Sequence, residues 1–595
     1  MRWSPLGVVA ALAAALRWFR IDAQSLWYDE GISAHQLTRS FPEILRAAAL
    51  DTHPPLYYWT LKAWGDTLGA SELGLRSLSA ACGLLAVVLT WLIGRRLFGT
   101  LAATLAALLL AVAPLAVYYS QEVRMYAQVT ALGLLAVYAY TRRWPWLYAL
   151  AGIATLYTQY LGAAMLIAIN IHAVLWWRSQ TRREWLAWLG ANAAIAVGFL
   201  PWLPTFLDQQ SHALNTSPRT VTGLALDSLT AYGGGIVHGD IFVATGAALV
   251  ALAVLGTVLW RDRRAASLGL LIWLIPLALV LSLGLRSGLF ELRYLVLSLP
   301  GLALLAAAGI VRLARHPIAV GVVGLVALVP AALGLSAQYF DPTLARDDYR
   351  GLVASIEADS RPTDVVVLSA PNQVEVFGYY YRGPLAMVGL PAQRPIDPQD
   401  TLQRLEALKA QYARVWLVSW AMNEADPRGV ISNWIAQNGF QASHQWYGSV
   451  QLALVGFGPA NAPTQRVDAL LDNGIVLEGY RLGARSLRAG ETLALTLVWR
   501  ADNGATTEHW KVFTHLLDSA SQVVAQRDAE PADNLRPTTF WKPGERIEDN
   551  YGITVPPNLP AGRYTLEIGM YAGDTRSIFT GQGDHLVLGQ VEVQP

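Results

Sequence analysis

A single cysteine, Cys82, in 595 residues leaves the chain without an intrachain disulfide or a cysteine-ligated metal site. Charge is also sparse: 15% of the residues carry one and the formal balance is +1, which argues against a nucleic-acid partner and a polybasic lipid-binding tail. There is no internal repeat at a fixed period and no low-complexity stretch. The first apolar run has no small-residue cleavage site and is followed by more runs, so it is expected to be a retained helix, not a removed signal peptide.

What the chain has in abundance is apolar length. Hydrophobic residues make up 54% of it, outside the usual composition of a soluble globular protein. Eleven runs approach the length needed to cross about 30 Å of hydrocarbon: 5–21, 74–94, 100–118, 125–141, 145–158, 161–177, 186–205, 241–260, 265–285, 294–311 and 317–337. Arginines occupy every second connection, at 95–96, 142–143, 178 with 182–183, 261 with 263–264, and 312 with 315. The positive-inside rule makes those connections cytoplasmic, along with Arg2 and the N-terminus, and puts everything beyond residue 338 outside a plasma membrane. Arg17 and Arg20 fall at the outer end of the first run, against this rule. They either snorkel to headgroups or lie near an anionic ligand.

Three polar clusters then share the outer face. The first is LWYDEGISAHQL (26–37), whose Leu26, Ile32 and Leu37 fit an amphipathic helix lying along the membrane surface. Adjacent carboxylates at a membrane boundary are costly unless paired or used. On a helix Asp29 and Glu30 point about 100° apart, so one can face a reaction centre while the other anchors the loop, for instance to Arg76; two ordinary solvated acids are the alternative. The second cluster is His53-Pro54-Pro55-Leu56-Tyr57-Tyr58, where two prolines hold the imidazole in an extended turn. His53 there can ligate a divalent cation, hydrogen-bond a phosphate or simply pack, and Tyr57 and Tyr58 also suit an interfacial aromatic belt. The third is YSQEVRMYA (119–127), placing Glu122 and Arg124 at the boundary, where an arginine suits bidentate phosphate recognition or the two neutralise each other. Arg293, with Glu291 close by, opens the tenth run. Acids for proton transfer and cations for phosphate beside a lipid phase fit a lipid-phosphate substrate.

Beyond the membrane runs, 347–457 alternates helix and strand patterns (DDYRGLVASIEA, DVVVLSA, TLQRLEALKAQ, RVWLVSW, GVISNWIAQNGF), which predicts a small α/β domain with a largely parallel sheet. It lacks a glycine-rich phosphate loop, against a nucleotide site. After the linker composition at 458–463, about seven alternating strands predict a β-sandwich of immunoglobulin-like or carbohydrate-binding type. Trp499, Trp510 and Trp541 belong to its core or stack on sugar rings.

Several motifs together resemble a known superfamily: W-x-D-E after the first run, HPPLYY, GxSExxxR (69–76), R-R-L-F (95–98) and YSQExRMYA. Over about residues 1–340 they are similar to the GT-C lipid-linked glycosyltransferases, in the branch of protein O-mannosyltransferases and lipid A aminoarabinose transferases. The resemblance implies a polytopic helical membrane domain over 1–340; the patterns beyond it predict an extracytoplasmic α/β domain over 341–460 and a β-sandwich over 461–595. It implies transfer of a sugar, with inversion, from a polyprenyl-phosphate carrier to an acceptor hydroxyl of a protein, lipid or glycan on the outer face. Asp29 would be the general base and Glu30 its structural companion, paired with Arg76. His53, Arg124 and Arg293 would contact the donor phosphate, with Glu122 and Tyr57 as further candidates. Some relatives carry lysine at the His53 position, which leaves its role and any divalent-cation requirement open. A transporter or flippase for a lipid-linked sugar is the competing class, although its usual pseudo-repeats and broken midplane helices are not evident. A glycan receptor anchored by its spans is a third, and eleven spans exceed what anchoring needs.

Overall fold

The computed structural model describes residues 5–211, 217–313, 317–458 and 463–594; Arg2, Arg315 and most of the expected 458–463 linker lie outside them. The chain divides into two compact units, Met1–Arg346 and Asp347–Pro595.

The first unit is helical, as a chain in hydrocarbon must be if every backbone N–H and C=O is to find a partner. Its helices are α1 (Pro5–Trp18), α2 (Tyr28–His35), α3 (Phe41–Leu50), α4 (Leu56–Leu68), α5 (Glu72–Leu97), α6 (Gly99–Val112), α7 (Pro114–Tyr118), α8 (Tyr126–Arg142) and α9 (Pro145–Thr158). They continue through α10 (Ala163–Leu175), α11 (Arg182–Phe199), α12 (Leu203–Ser211), α13 (Val221–Gly234), α14 (Asp240–Leu259), α15 (Arg263–Ser287), α16 (Leu299–Leu313) and α17 (Pro317–Phe340). Among the described residues four helical segments are long and apolar enough to cross a membrane, Glu72–Leu97, Arg182–Gln210, Asp240–Leu259 and Arg263–Ser287, and five shorter apolar helices accompany them. The protein is an integral membrane protein.

Close backbone approach ties the bundle together. A Cβ on Gly256 of α14 would meet the Leu305 carbonyl at 2.0 Å, and one on Gly309 of α16 would meet the Leu252 carbonyl at 2.1 Å. Only glycine lets these helices touch, the small-residue packing expected where lipid supplies no hydrophobic drive between helices. Helix α13 has no counterpart among the eleven runs. It is short and carries Asp227, so its hydropathy is diluted, yet it packs along α14 through Gly233 and Gly246.

Pro114 splits the third run into α6 and α7. Lacking an N–H, it leaves the Leu110 carbonyl without its helical donor. Arg17 supplies the replacement: its guanidinium donates to Leu110 O at 3.4 Å, Ala111 O at 3.0 Å and Ala13 O at 3.2 Å, with the side chain buried. Arg17 therefore does not snorkel: NH1 and NH2 are spent on backbone carbonyls, while its buried Nε has no partner; Arg20 is exposed, over the Phe340 ring at 5.0 Å.

The first loop differs from its expected form. Its surface helix is α2, prolonged by a 3-10 turn at Gln36–Thr38, and α2 buries Glu30, Gly31, Ser33 and Ala34, a small and polar set; of the expected stripe Leu26 is fully buried but precedes the helix, and Ile32 and Leu37 are half-buried. The prolines after His53 do not continue an extended turn: Pro55 is helical (φ −80, ψ −19) and caps α4.

The second unit opens with a five-stranded sheet of β1 (Asp364–Ser369), β2 (Ala386–Leu390), β3 (Arg414–Ser419), β4 (Phe440–Tyr447) and β5 (Val450–Gly456), in the order β2-β1-β3-β5-β4. Only β2-β1-β3 is parallel; the hairpin β4–β5 adds two antiparallel pairings, so the sheet is mixed, not largely parallel. Helices α18 (Tyr349–Asp359), α19 (Val374–Tyr380), α20 (Pro398–Gln411), α21 (Met422–Ala425) and α22 (Val430–Asn438) connect these strands.

Two further sheets face each other across a core that includes Leu493, Leu495, Trp499, Val512, Ile568 and Phe579. One is β12 (Glu545–Thr554), β9 (Thr492–Ala501), β7 (Ile475–Leu482) and β6 (Gln465–Leu470). The other runs β11 (Val523–Ala529), β10 (Lys511–Leu517), β13 (Gly562–Ala572), β15 (Leu586–Gln594) and β8 (Ser486–Arg488), with β14 (Thr575–Arg576) on β13. Trp499 and Trp541 are core residues, donating to Asp549 Oδ2 at 3.2 Å and Arg536 O at 2.8 Å, and half-buried Trp510 packs against the same core.

Candidate functional site

Four stretches remote in sequence converge on the N-terminal end of α5: α2, the 119–125 turn, the 3-10 segment Leu292–Leu297 and Arg346. Their centre is an ion pair. Arg76, one turn into α5, gives Glu30 two parallel hydrogen bonds, Nε to Oε1 at 2.8 Å and NH2 to Oε2 at 2.6 Å. Its remaining N–H groups go to Ile21 O, Gln24 O and Ser25 O at 2.7–2.9 Å, so all five donors are spent pinning the entry of the first loop. Glu30 is equally committed: Val123 N donates to Oε1 at 2.9 Å and Arg346 NH1 to Oε2 at 3.3 Å. Burial works against the Glu30 carboxylate, but the charges of Arg76 and Arg346 outweigh it and hold its pKa below the usual range.

Asp29 points elsewhere and is differently supplied. Its Oδ2 lies 3.0 Å from Arg293 NH1 and 3.9 Å from Arg124 Nε, and its side chain keeps 18% of its surface. Arg124 also donates to the Asp29 carbonyl at 3.3 Å. Yet Nε of Arg124 and Nε of Arg293 are shut off from solvent without a hydrogen-bond partner, and the Tyr126 ring lies 5.9 Å from the Arg293 guanidinium. Two cations with spare donors can bind an anionic oxygen, and the partly open carboxylate between them can take up a proton.

Glu122 does not pair with Arg124. Its Oε1 accepts from Trp27 Nε1 at 3.1 Å, while buried Oε2 has no partner. Burial pushes this carboxyl up to about 7, against the pull of Arg346. His53 sits with Nδ1 3.0 Å from Thr52 Oγ1 and 3.7 Å from Asp51 Oδ2. Burial lowers the imidazole pKa, with the Arg124 charge adding to it, and Asp51 only partly offsets this. Tyr57 is fully buried, its hydroxyl without a partner, and Tyr58 OH reaches Asp51 at 3.3 Å. Among the described residues no three His, Cys, Asp or Glu side chains are grouped as a metal site.

Sequence reasoning passed over two participants. Asp51 stands two residues before His53, a spacing visible in DTHPP. Arg346 gives no signal at all: it is a lone arginine after the last apolar run, and only the fold brings it to Glu30 and over the Tyr118 ring at 4.7 Å.

Residues 52–204 match the family described as dolichyl-phosphate-mannose-protein mannosyltransferase. No curated protein sequence matches the chain. Among solved structures, ArnT from Cupriavidus metallidurans bound to undecaprenyl phosphate superposes with a TM-score of 0.52 at 15% identity, over 76% of this chain and 98% of that one. The oligosaccharyltransferase AglB from Archaeoglobus fulgidus, in complex with an inhibitory peptide and a dolichol-phosphate, is similar at 10% identity and a TM-score of 0.48, over 97% and 96% of the two chains. The family segment covers the His53 turn, α5 and the 119–127 motif, and the ArnT likeness, at 15% identity, is one of fold around them.

Proposed function

We propose that the protein moves a sugar, with inversion, from a polyprenyl-phosphate carrier to an acceptor hydroxyl on the outer face of a cell membrane. The observation that carries this reading is the pair of guanidinium groups at Asp29, each with an unspent donor. The carrier phosphate takes the place that Asp29 Oδ2 now shares between Arg293 and Arg124, with His53 as a further phosphate contact. Asp29, released from the pair, accepts the acceptor's hydroxyl proton as the new glycosidic bond forms at the anomeric carbon. The bond from that carbon to the phosphate oxygen breaks, and the phosphate leaves as an anion held by the two arginines, with no general acid needed. Glu30 stays ionised and keeps the loop in place. That ArnT is solved with undecaprenyl phosphate supports the choice of donor.

The test is to incubate purified protein with a panel of labelled polyprenyl-phosphate sugars and ask which is consumed. For that donor, Asp29→Asn should lower turnover by roughly 10²–10⁴ while carrier binding persists. A folded Asp29→Asn protein that binds donor and transfers at the wild-type rate would falsify the mechanism. The eleven-span topology with a cytoplasmic N-terminus belongs to the same proposal: reporters fused after Arg143 and Arg264 should read cytoplasm and one after Asp341 the outside. An inverted pattern would move the reaction to the other leaflet.

A further inference from the structure

A cavity of about 780 Å³ lies away from the Asp29 cluster, within the roughly 300–1,000 Å³ of ligand pockets. Helix α5 links the two places: Arg76 stands at the reaction-site end and Arg96, which lines the cavity, about 20 residues further along, roughly 30 Å away at the helical rise. The cavity is therefore at the opposite end of the helical body.

Its walls carry Arg96, Arg143, Arg183 and Arg264 against two acids, Glu184 and Asp262. Both acids are already employed. Glu184 pairs with Arg143 and caps α11 through Thr181 N at 3.0 Å. Asp262 caps α15, accepting from Arg264 N at 3.0 Å and Ala265 N at 3.1 Å. Arg96 donates only to the Thr141 carbonyl, at 3.1 Å, and Arg183 makes no ion pair among the described residues. One more donor waits there: Trp188 Nε1 lines the cavity, shut off from solvent and without an acceptor. An excess of cations with an unused N–H calls for an anion with several acceptor oxygens. The flanking surface says where such an anion comes from. Trp146, Leu186 and Leu189, on the same two helices α9 and α11 that border the cavity, are exposed and apolar, a lipid-facing rim beside a cationic pocket.

We infer that this cavity binds the phosphate headgroup of an anionic phospholipid from the leaflet opposite the reaction site, its acyl chains lying along the rim of α9 and α11. Basic pockets between membrane helices take lipid headgroups in this way. The site is distinct from the donor site and uses none of its residues.

The full chain in phosphatidylcholine nanodiscs, titrated with phosphatidylglycerol, tests this, with retained lipid counted by native mass spectrometry. Wild type should hold phosphatidylglycerol roughly ten- to thirtyfold more tightly than Arg96→Gln/Arg183→Gln, and donor consumption should be the same in both. Trp188→Phe keeps the ring and removes the donor, and a smaller weakening is expected; this variant decides the matter if the double substitution does not fold. Equal retention by wild type and a folded variant would overturn the proposal. So would a wild-type melting midpoint raised as much by inorganic phosphate in pure phosphatidylcholine as by phosphatidylglycerol, since the ligand would then be a soluble anion.

Discussion

Among the described residues each unit buries one forked arginine–carboxylate pair, and the two have different surroundings. In the mixed sheet Asp364 and Arg414 are register partners on β1 and β3, joined by Nε to Oδ1 at 2.9 Å and NH2 to Oδ2 at 2.6 Å. Trp416 Nε1 and Arg361 N complete the acid, and the Asp359 carbonyl takes a further arginine hydrogen. In the helical unit Glu30 and Arg76 are just as thoroughly paired. The difference lies one residue away. Beside Glu30 stand Asp29, two arginines with idle Nε groups, and Glu122 with an unpartnered oxygen. A buried ion pair is a structural statement, because removing either partner strands a charge. Unspent buried donors and acceptors next to such a pair call for an explanation, and the proposed reaction supplies one here.

The comparison can be broken most directly by removing each arginine. Arg76→Ala and Arg414→Ala should each cost about 3–5 kcal/mol of stability, read as a fall in melting midpoint. Only Arg76→Ala should also abolish sugar transfer in the fraction that remains folded, and Glu30→Gln should share part of its loss. Transfer that survives Arg76→Ala in folded protein would show that the Glu30 pair does not hold the reaction site.

A smaller effect sharpens the role of the idle donors. Arg124→Ala and Arg293→Ala should each weaken carrier binding by roughly ten- to hundredfold, the worth of a charge-assisted contact of about 1.5–3 kcal/mol, with less change in acceptor use. His53→Ala belongs in the same series. If its loss of activity is matched by insensitivity of the wild type to chelators, the imidazole contacts phosphate directly. Unchanged donor affinity in the folded arginine variants would remove them from the site.

The smallest effect concerns Glu122. An acid whose folded pKa is raised to about 7 contributes stability that is complete below its ordinary range and is lost as pH climbs through about 7. The melting midpoint of the wild type should therefore fall more between about pH 6 and 8 than that of Glu122→Gln. Parallel curves for the two proteins would mean that another group titrates there.

Much of this protein is legible in its sequence for a simple reason: hydrocarbon and β-sheets each impose a period on the chain. Long apolar runs separate the helical unit from the tail, and all seven expected sandwich strands, such as TLALTLVWRA and GRYTLEIGMYA, correspond to β7, β9, β10, β11, β12, β13 and β15. The polar clusters with Asp29, His53 and Arg124 stand out because charge at a membrane boundary is costly. Elements whose pattern is diluted do not stand out: α13 is shortened by glycines and an aspartate, and the edge strand β2 has little burial to show.

By itself the sequence determined which residue types were at hand, the helical and sandwich periods, and the superfamily motifs. Tertiary structure decided most of the partners. That Glu30 rather than Asp29 takes Arg76 was expected only from the superfamily resemblance, and nothing local tells that Arg17 repairs the carbonyls freed by Pro114 or that Arg346 reaches back to the first loop. Those choices depend on which donors and acceptors packing leaves beyond the reach of water, and that is settled only when distant helices meet.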